Sequence, residues 1–218
     1  MSGASRAYGT LERSVKPSWP SQHRDAHSLR RDARRTRERL LQAAGELLAA
    51  EAKFSLVDVA ATAGVSTATA YRHFESADHV AFSFVAGFLD DVEQRTVSSE
   101  LPDDPKERLR DLCRIWVETL LDWGPALAYL CSPEGFLARR ARREGEVTRS
   151  LRHIEPALAG LLPPDASATD LTYAIAVWNA LADPREVLDQ RAVLEWSAQQ
   201  IADRLHGAVL AALRCGEA

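Results

Sequence analysis

The chain has 218 residues, room for one large domain or two small ones, and its 46% apolar content suffices for a packed core. No apolar run approaches the roughly 18 to 20 residues of a membrane span. The first residues lack the charged-then-apolar pattern of a secretory signal, and three scattered cysteines, Cys113, Cys131 and Cys215, form neither a disulfide framework nor a metal-ligand spacing, so a cytoplasmic protein is expected. The formal net charge of −4 argues against a general polyanion binder, yet residues 1–39 hold ten basic and four acidic residues, a local +6 on a body of −10. A basic head on an acidic body is the asymmetry expected when one end meets phosphates; on charge alone, a solvated basic tail is the alternative.

Residues 1–31 mix Ser, Pro, Gly and Arg with few apolar side chains and read as a disordered basic arm. A helical period starts at Asp32, with Leu40, Ala44, Leu47 and Leu48 on one face, and ends near Glu51. Ser55, three residues before Asp58, predicts a helix start, with Val59, Ala60 and Ala63 on its apolar side. Gly64 supplies a turn, Ser66 caps a short helix that Phe74 closes, and Ser76 caps a longer one running to about Ser98. Asp104-Pro105-Lys106-Glu107 and Asp183-Pro184-Arg185-Glu186 are two further helix starts, each with a cap, a Pro at the first helical position and a Glu at the third. Between them, one Arg-rich helix is expected from Ser132 to about Leu162, and a second from about 166 to 182. A last helix is expected over about 185–214. No segment reads as a strand, so the expected fold is all-α with about nine helices.

Two short helices joined by Gly64-Val65-Ser66 have the form of a helix-turn-helix, for which an ordinary helical hairpin with an aromatic plug is the alternative. A second helix that enters a major groove, about 12 Å wide, needs small residues at its leading end. Thr67, Ala68 and Thr69 meet that need. Tyr71, Arg72 and His73 would then reach phosphates or base edges, with Phe74 turned to the core. Helix N-termini at Ser55 and Ser66 offer backbone amides to phosphates. Arg34 and Arg35, beside Arg30, Arg31 and Arg37, add positive charge next to this motif.

The stretch FSLVDVAATAGVSTATAYRHFESADHVAF, residues 54–82, resembles the DNA-binding region of the tetracycline-repressor (TetR) family of bacterial one-component regulators. The matching pieces are Val57-Asp58-Val59-Ala60, Ala63-Gly64-Val65-Ser66, Tyr71-Arg72-His73-Phe74 and Ser76; the resemblance of motif covers about residues 34–90. It implies a homodimer whose subunits each carry a three-helix DNA-binding head, residues 32–76, and a larger helical body for effector binding and dimerisation, residues 77–218. By position, Ser55 and Tyr71 would touch phosphates, and Thr67, Thr69 and Arg72 would lie toward the groove. Two departures stand out: the family commonly has Lys where this chain has Ala77, and a bulky apolar residue where it has Ala70.

In the body, Trp116, Leu120, Trp123, Tyr129 and Trp178 are candidate lining for an apolar cavity, although such residues are more often simply core. Leu188, Leu194, Ile201, Leu205 and Val209 give the last helix a broad apolar face and are candidates for the dimer interface. No nucleophile–base pair, metal spacing or phosphate loop stands out, so neither an enzyme nor a cofactor is expected. The expected function is a transcriptional repressor that a small apolar or amphipathic effector releases from a palindromic double-stranded operator. The alternative is a dimeric DNA-binding protein of the same fold with no effector.

Overall fold

The computed structural model describes residues 26–50, 53–130 and 136–214. Most of the expected arm, Cys131, Cys215 and the helix start at Ser132 lie outside the described residues. Among the described residues there are eleven α-helices, one 3-10 helix and no strand. They are α1 (Ala26–Ala49), α2 (Leu56–Thr62), α3 (Thr67–His73), α4 (Ala77–Ser98), α5 (Pro105–Trp123), the 3-10 helix Pro125–Leu130, α6 (Phe136–Ala141), α7 (Gly145–Leu151), α8 (Ile154–Ala159), α9 (Ala168–Leu181), α10 (Pro184–Val193) and α11 (Ala198–Arg214). None of them is long and apolar enough to cross a membrane.

The helix starts follow local chemistry. Asp104 Oδ1 accepts from the backbone N–H of Lys106 at 3.0 Å and of Glu107 at 2.9 Å, and Asp183 Oδ1 accepts from that of Arg185 at 2.8 Å. Ser167 and Asp170 form a reciprocal capping box at the start of α9. α1 is helical from Ala26, so Arg30 and Arg31, placed by sequence in the arm, stand on a helix.

Two expected long helices are broken. The Arg-rich one is divided into α6, α7 and α8. At its first break Arg143 takes a positive φ of 56°; its N–H donates to the Arg140 carbonyl at 2.9 Å, and the Glu144 N–H to that of Arg139 at 3.3 Å. This pair of bonds satisfies the orphaned carbonyls of a helix end and stops the helix. The last helix is broken at Glu195, where φ is 55°. A capping box then restarts it: Ser197 Oγ accepts from the Gln200 N–H at 3.2 Å, and Gln200 Oε1 from the Ser197 N–H at 2.8 Å.

Two apolar clusters result. The smaller holds the head together with Leu40, Ala44, Leu56, Val59, Ala60, Ala70, Phe74 and Val80 from α1 to α4. The larger surrounds α5, whose Leu109, Leu112, Cys113, Val117 and Leu120 are buried in it, with α5 packed on α4, α8 and α11. α1 and α4 run through both, with Leu48 and Phe84 in the body cluster and Leu40 and Val80 in that of the head. Where the two helices meet, a Cβ on Gly45 would lie 2.7 Å from the Phe84 ring, closer than two carbons can approach, so glycine permits the contact. α4 is therefore, like α1, an element shared by the head and body clusters.

Candidate nucleic-acid interface

α2 begins at a capping box. The Asp58 N–H donates to Ser55 Oγ at 3.3 Å, while the N–H and Oγ–H of Ser55 donate to Asp58 Oδ2 at 2.8 and 2.7 Å. The backbone N–H and hydroxyl of Ser55 thereby hold the Asp58 carboxyl below the usual range. Ser55 is exposed, as a phosphate contact requires, but its hydroxyl is already engaged by Asp58.

The turn itself is short. Gly64 takes φ 63°, a left-handed conformation that costs little without a Cβ. Its N–H donates to the Ala61 carbonyl, and that of Val65 to Ala60, both at 3.0 Å, which ends α2. Ser66 then caps α3 by accepting from the Thr69 N–H at 3.2 Å. Arg39, 25 residues upstream of Gly64, fixes this turn from α1: its Nη2 donates to the carbonyls of Ala63 and Gly64. Arg37 lies over the Phe74 ring at 5.1 Å. The turn before α3 and the Phe74 that closes it are thus held by arginines of α1, a role that spacing along the chain gives no means of reading.

α3 has seven residues, about 10 Å of helix, short enough to lie in a major groove. It buries Ala70, and Phe74 behind it is only 1% exposed. The fully buried Ala70 shows that a small side chain fills this contact, where the resemblance favours a bulky one. Ser66, Thr67, Ala68, Tyr71 and Arg72 are exposed; Thr69 and His73 are half-buried. Ser66 Oγ and Thr69 Oγ1 are 2.8 Å apart, and Arg72 Nη2 donates to Thr69 Oγ1 at 2.9 Å, so a hydrogen-bonded row runs along the outer face. Tyr71 stands out at 55% exposure, a large side chain with nothing packed over most of it.

The helix before the motif adds charge. Arg30, Arg31, Arg34 and Arg35 are exposed, and Arg34 pairs with Glu38 at 3.3 Å. An exposed pair of that kind is worth about 0 to 1 kcal/mol and yields easily to a phosphate. At the start of α4, Ala77 carries no charge and Asp78 is exposed.

The candidate ligand residues pack on one another. Trp123 meets Phe84 edge-on at 5.0 Å and Phe88 at 6.1 Å, and Trp116 meets Phe88 at 5.3 Å and Trp178 at 6.2 Å. Their polar ends are satisfied: Trp116 Nε1 donates to the Ala182 carbonyl and Trp123 Nε1 to Asp91 Oδ2, both at 3.0 Å. Leu120 and Trp178 are buried. Tyr129 belongs to the 3-10 helix, and its side chain lies outside the described residues. A cavity that Trp116 borders has about 20 Å³, the space of one water. It is lined as well by His153, whose buried Nε2 has no hydrogen-bond partner among the described residues. Cys113 is buried, and burial, with Asp203 second, pushes its thiol well up, so it is held as an unreactive thiol.

The candidate dimer residues divide. Ile201, Leu205 and Val209 are buried inside the subunit, Leu188 packs partly against the same core, and Leu194 is exposed. The outward side of α11 is instead Arg204, Gly207, Ala208 and Ala211, all exposed. α9, which packs on α11, turns Tyr173, at 60% exposure, and Ala180 outward.

No protein-family model and no curated protein matches the sequence. Solved structures do match the fold. The fatty acid degradation regulator FadR from Bacillus halodurans is 17% identical at a TM-score of 0.57, covering 80% of this chain and 94% of its own. A TetR/AcrR-family transcriptional regulator from Thermobifida fusca is 22% identical at 0.52, covering 80% and 96%. A TetR-family regulator from Streptomyces coelicolor is 18% identical at 0.55, covering 83% and 80%. The likeness runs through head and body alike, so the chain shares the fold of these proteins along most of its length.

Proposed function

We propose that this chain, folded as solved TetR-family transcriptional regulators are, is itself a DNA-binding regulator of that family. In this reading it is a dimer that sits on a palindromic operator and leaves it when a small-molecule effector binds the body. The observation that carries the reading is the face of α3: a hydrogen-bonded polar row from Ser66 to Arg72 beside an exposed Tyr71, on a helix whose preceding turn and closing Phe74 are held from α1. Thr67, Ala68, Thr69 and Arg72 face the bases, and Tyr71, His73 and the amides behind Ser55 and Ser66 take phosphates. Arg30, Arg31, Arg34 and Arg35 supply sequence-independent attraction in place of the lysine missing at Ala77.

Dimerisation places two such helices about one DNA turn apart, roughly 34 to 36 Å. The outward sides of α9 and α11 are the proposed contact, with Tyr173, Ala180, Gly207, Ala208 and Ala211 meeting their copies across a two-fold axis. Small residues let the helices approach closely, while Ile201, Leu205 and Val209 support α11 from within. Selection of duplexes from a random-sequence library by the full chain tests the reading. Enrichment of a two-fold symmetric site supports it, and binding without sequence preference contradicts it. The mutual packing of Trp116, Trp123 and Trp178 favours a second reading, a regulator with no effector. Operator affinity indifferent to every ligand that the body binds would support that one.

A further inference from the structure

The Arg-rich segment between α6 and α8 forms an open groove of about 1140 Å³. Arg140, Arg143, Arg149 and Arg152 line it against a single carboxylate, Glu155, and Pro156 and Ala159 contribute exposed apolar surface. Three of the guanidiniums have partners. Arg140 pairs with Glu155 at 3.2 Å. Arg149 bonds Asp90 and Glu93 of α4, the latter at 3.2 Å, and Arg152 bonds Glu93 as well. The hydrogen bond from Arg149, with Arg152 adding to it, holds the Glu93 carboxyl below its usual range. Arg143 differs: it is exposed, and among the described residues its side chain has no ion pair or hydrogen bond. It also occupies a helix-end position with φ 56°, where glycine is the residue of least strain. Arg143 thus presents an exposed guanidinium, unpaired among the described residues, on the rim of the groove, on a left-handed backbone that glycine would take with less strain.

We propose that this groove is a binding site for an amphipathic organic anion, a phosphate or carboxylate on an apolar stem. The anionic group lies on Arg143, Arg149 and Arg152, and the stem on Pro156 and Ala159. The ligand competes with Asp90 and Glu93 for the two guanidiniums of the latch, so binding loosens α7 from α4, the helix that leads to the head. The effect on the head rests on the regulator reading above; binding and its competition with α4 do not. By linkage, anything that weakens the latch strengthens the ligand's hold.

Isothermal titration of the full chain without DNA, with octyl phosphate, sodium octanoate, inorganic phosphate and 1-octanol as probes, tests this. Octyl phosphate or octanoate is expected to bind at one site per chain, more tightly than inorganic phosphate or octanol. Arg143→Gly, which removes the charge and relieves the backbone, weakens that binding by roughly two- to fivefold, the scale of one exposed ionic contact. The double variant Asp90→Asn, Glu93→Gln binds more tightly than the parent, a result that a merely structural latch would not produce. No binding of either amphiphile at millimolar concentration overturns the proposal. So does octanol binding equally well, or affinities unchanged in both variants.

Discussion

The head and the body are both helical, but they are held by different means. The head is assembled from short helices whose ends are fixed by neighbouring residues: Ser55 with Asp58, Gly64 with Ala61, Ser66 with Thr69. Its core sets leucines, valines and several alanines around one buried aromatic ring, Phe74. The body is held by contacts between residues far apart, such as Trp116 with Ala182, Trp123 with Asp91 and Arg149 with Glu93. A motif that must present one helix face in one orientation gains from local determinants, because each cap fixes a helix end independently of the rest. In the proposed reading the body shifts between two arrangements, and ion pairs at its surface, each weak and replaceable, suit that.

Breaking the head at its largest side chain gives the biggest effect. Phe74→Ala is expected to cost about 3 to 5 kcal/mol, lowering the melting temperature, because it empties the centre of a small cluster. A melt that barely moves would show that the head is held by its caps alone. On the body side, Ala208→Glu on the outward face of α11 is expected to convert dimers to folded monomers in sedimentation, by setting like charges on either side of the two-fold axis. Leu205→Glu does not serve here, since Leu205 is buried and a charge there tests folding. An undiminished dimer would move the interface off α11.

A smaller effect is expected from Ser55→Ala, about 0.5 to 2 kcal/mol of stability from the lost cap. The smallest is a pH effect in the body. The Nε2–H of His206 donates a hydrogen bond to the Lys106 carbonyl at 3.1 Å, and burial, then Arg110, lowers its pKa from 6.5. A lowered folded pKa means that the neutral ring is favoured by folding. The contribution is complete above pH 6.5 and is lost as pH falls through the folded value. Melting temperature followed from pH 7.5 downward should therefore decline less in His206→Gln than in the parent. Parallel curves would show that His206 does not couple to stability.

The same contrast explains what the sequence disclosed. Helix starts at Ser55, Ser66 and Ser76 were legible because a serine before a helical period caps the amide three residues on, reinforced at Ser55 by Asp58. The body's breaks at Arg143 and Glu195 were not, since neither is glycine and left-handed backbone is not expected of them. The restart at Ser197 had a readable signal, Ser197 followed three residues later by Gln200, hidden inside an unbroken apolar period. Ile201, Leu205 and Val209 illustrate a limit of periodicity: a stripe marks the side of a helix that is covered, without saying whether its own subunit or a copy covers it. The clamp of Arg39 on the turn, across 24 and 25 residues, and the stacking of Arg37 on Phe74 depend on the folded head and leave no mark in spacing.

The most direct test of the central claim, that the outer face of α3 reads DNA, is the affinity of Arg72→Ala for a selected duplex at fixed salt, measured beside its thermal melt. The hydrogen bond of Arg72 to Thr69 is exposed and local, so the melt should hold within about 0.5 kcal/mol, the usual range for a surface substitution. Binding should weaken by about 1 to 3 kcal/mol, the discrimination carried by one bidentate contact to a base. Unchanged affinity with an unchanged melt would contradict the claim and place the DNA-reading surface elsewhere.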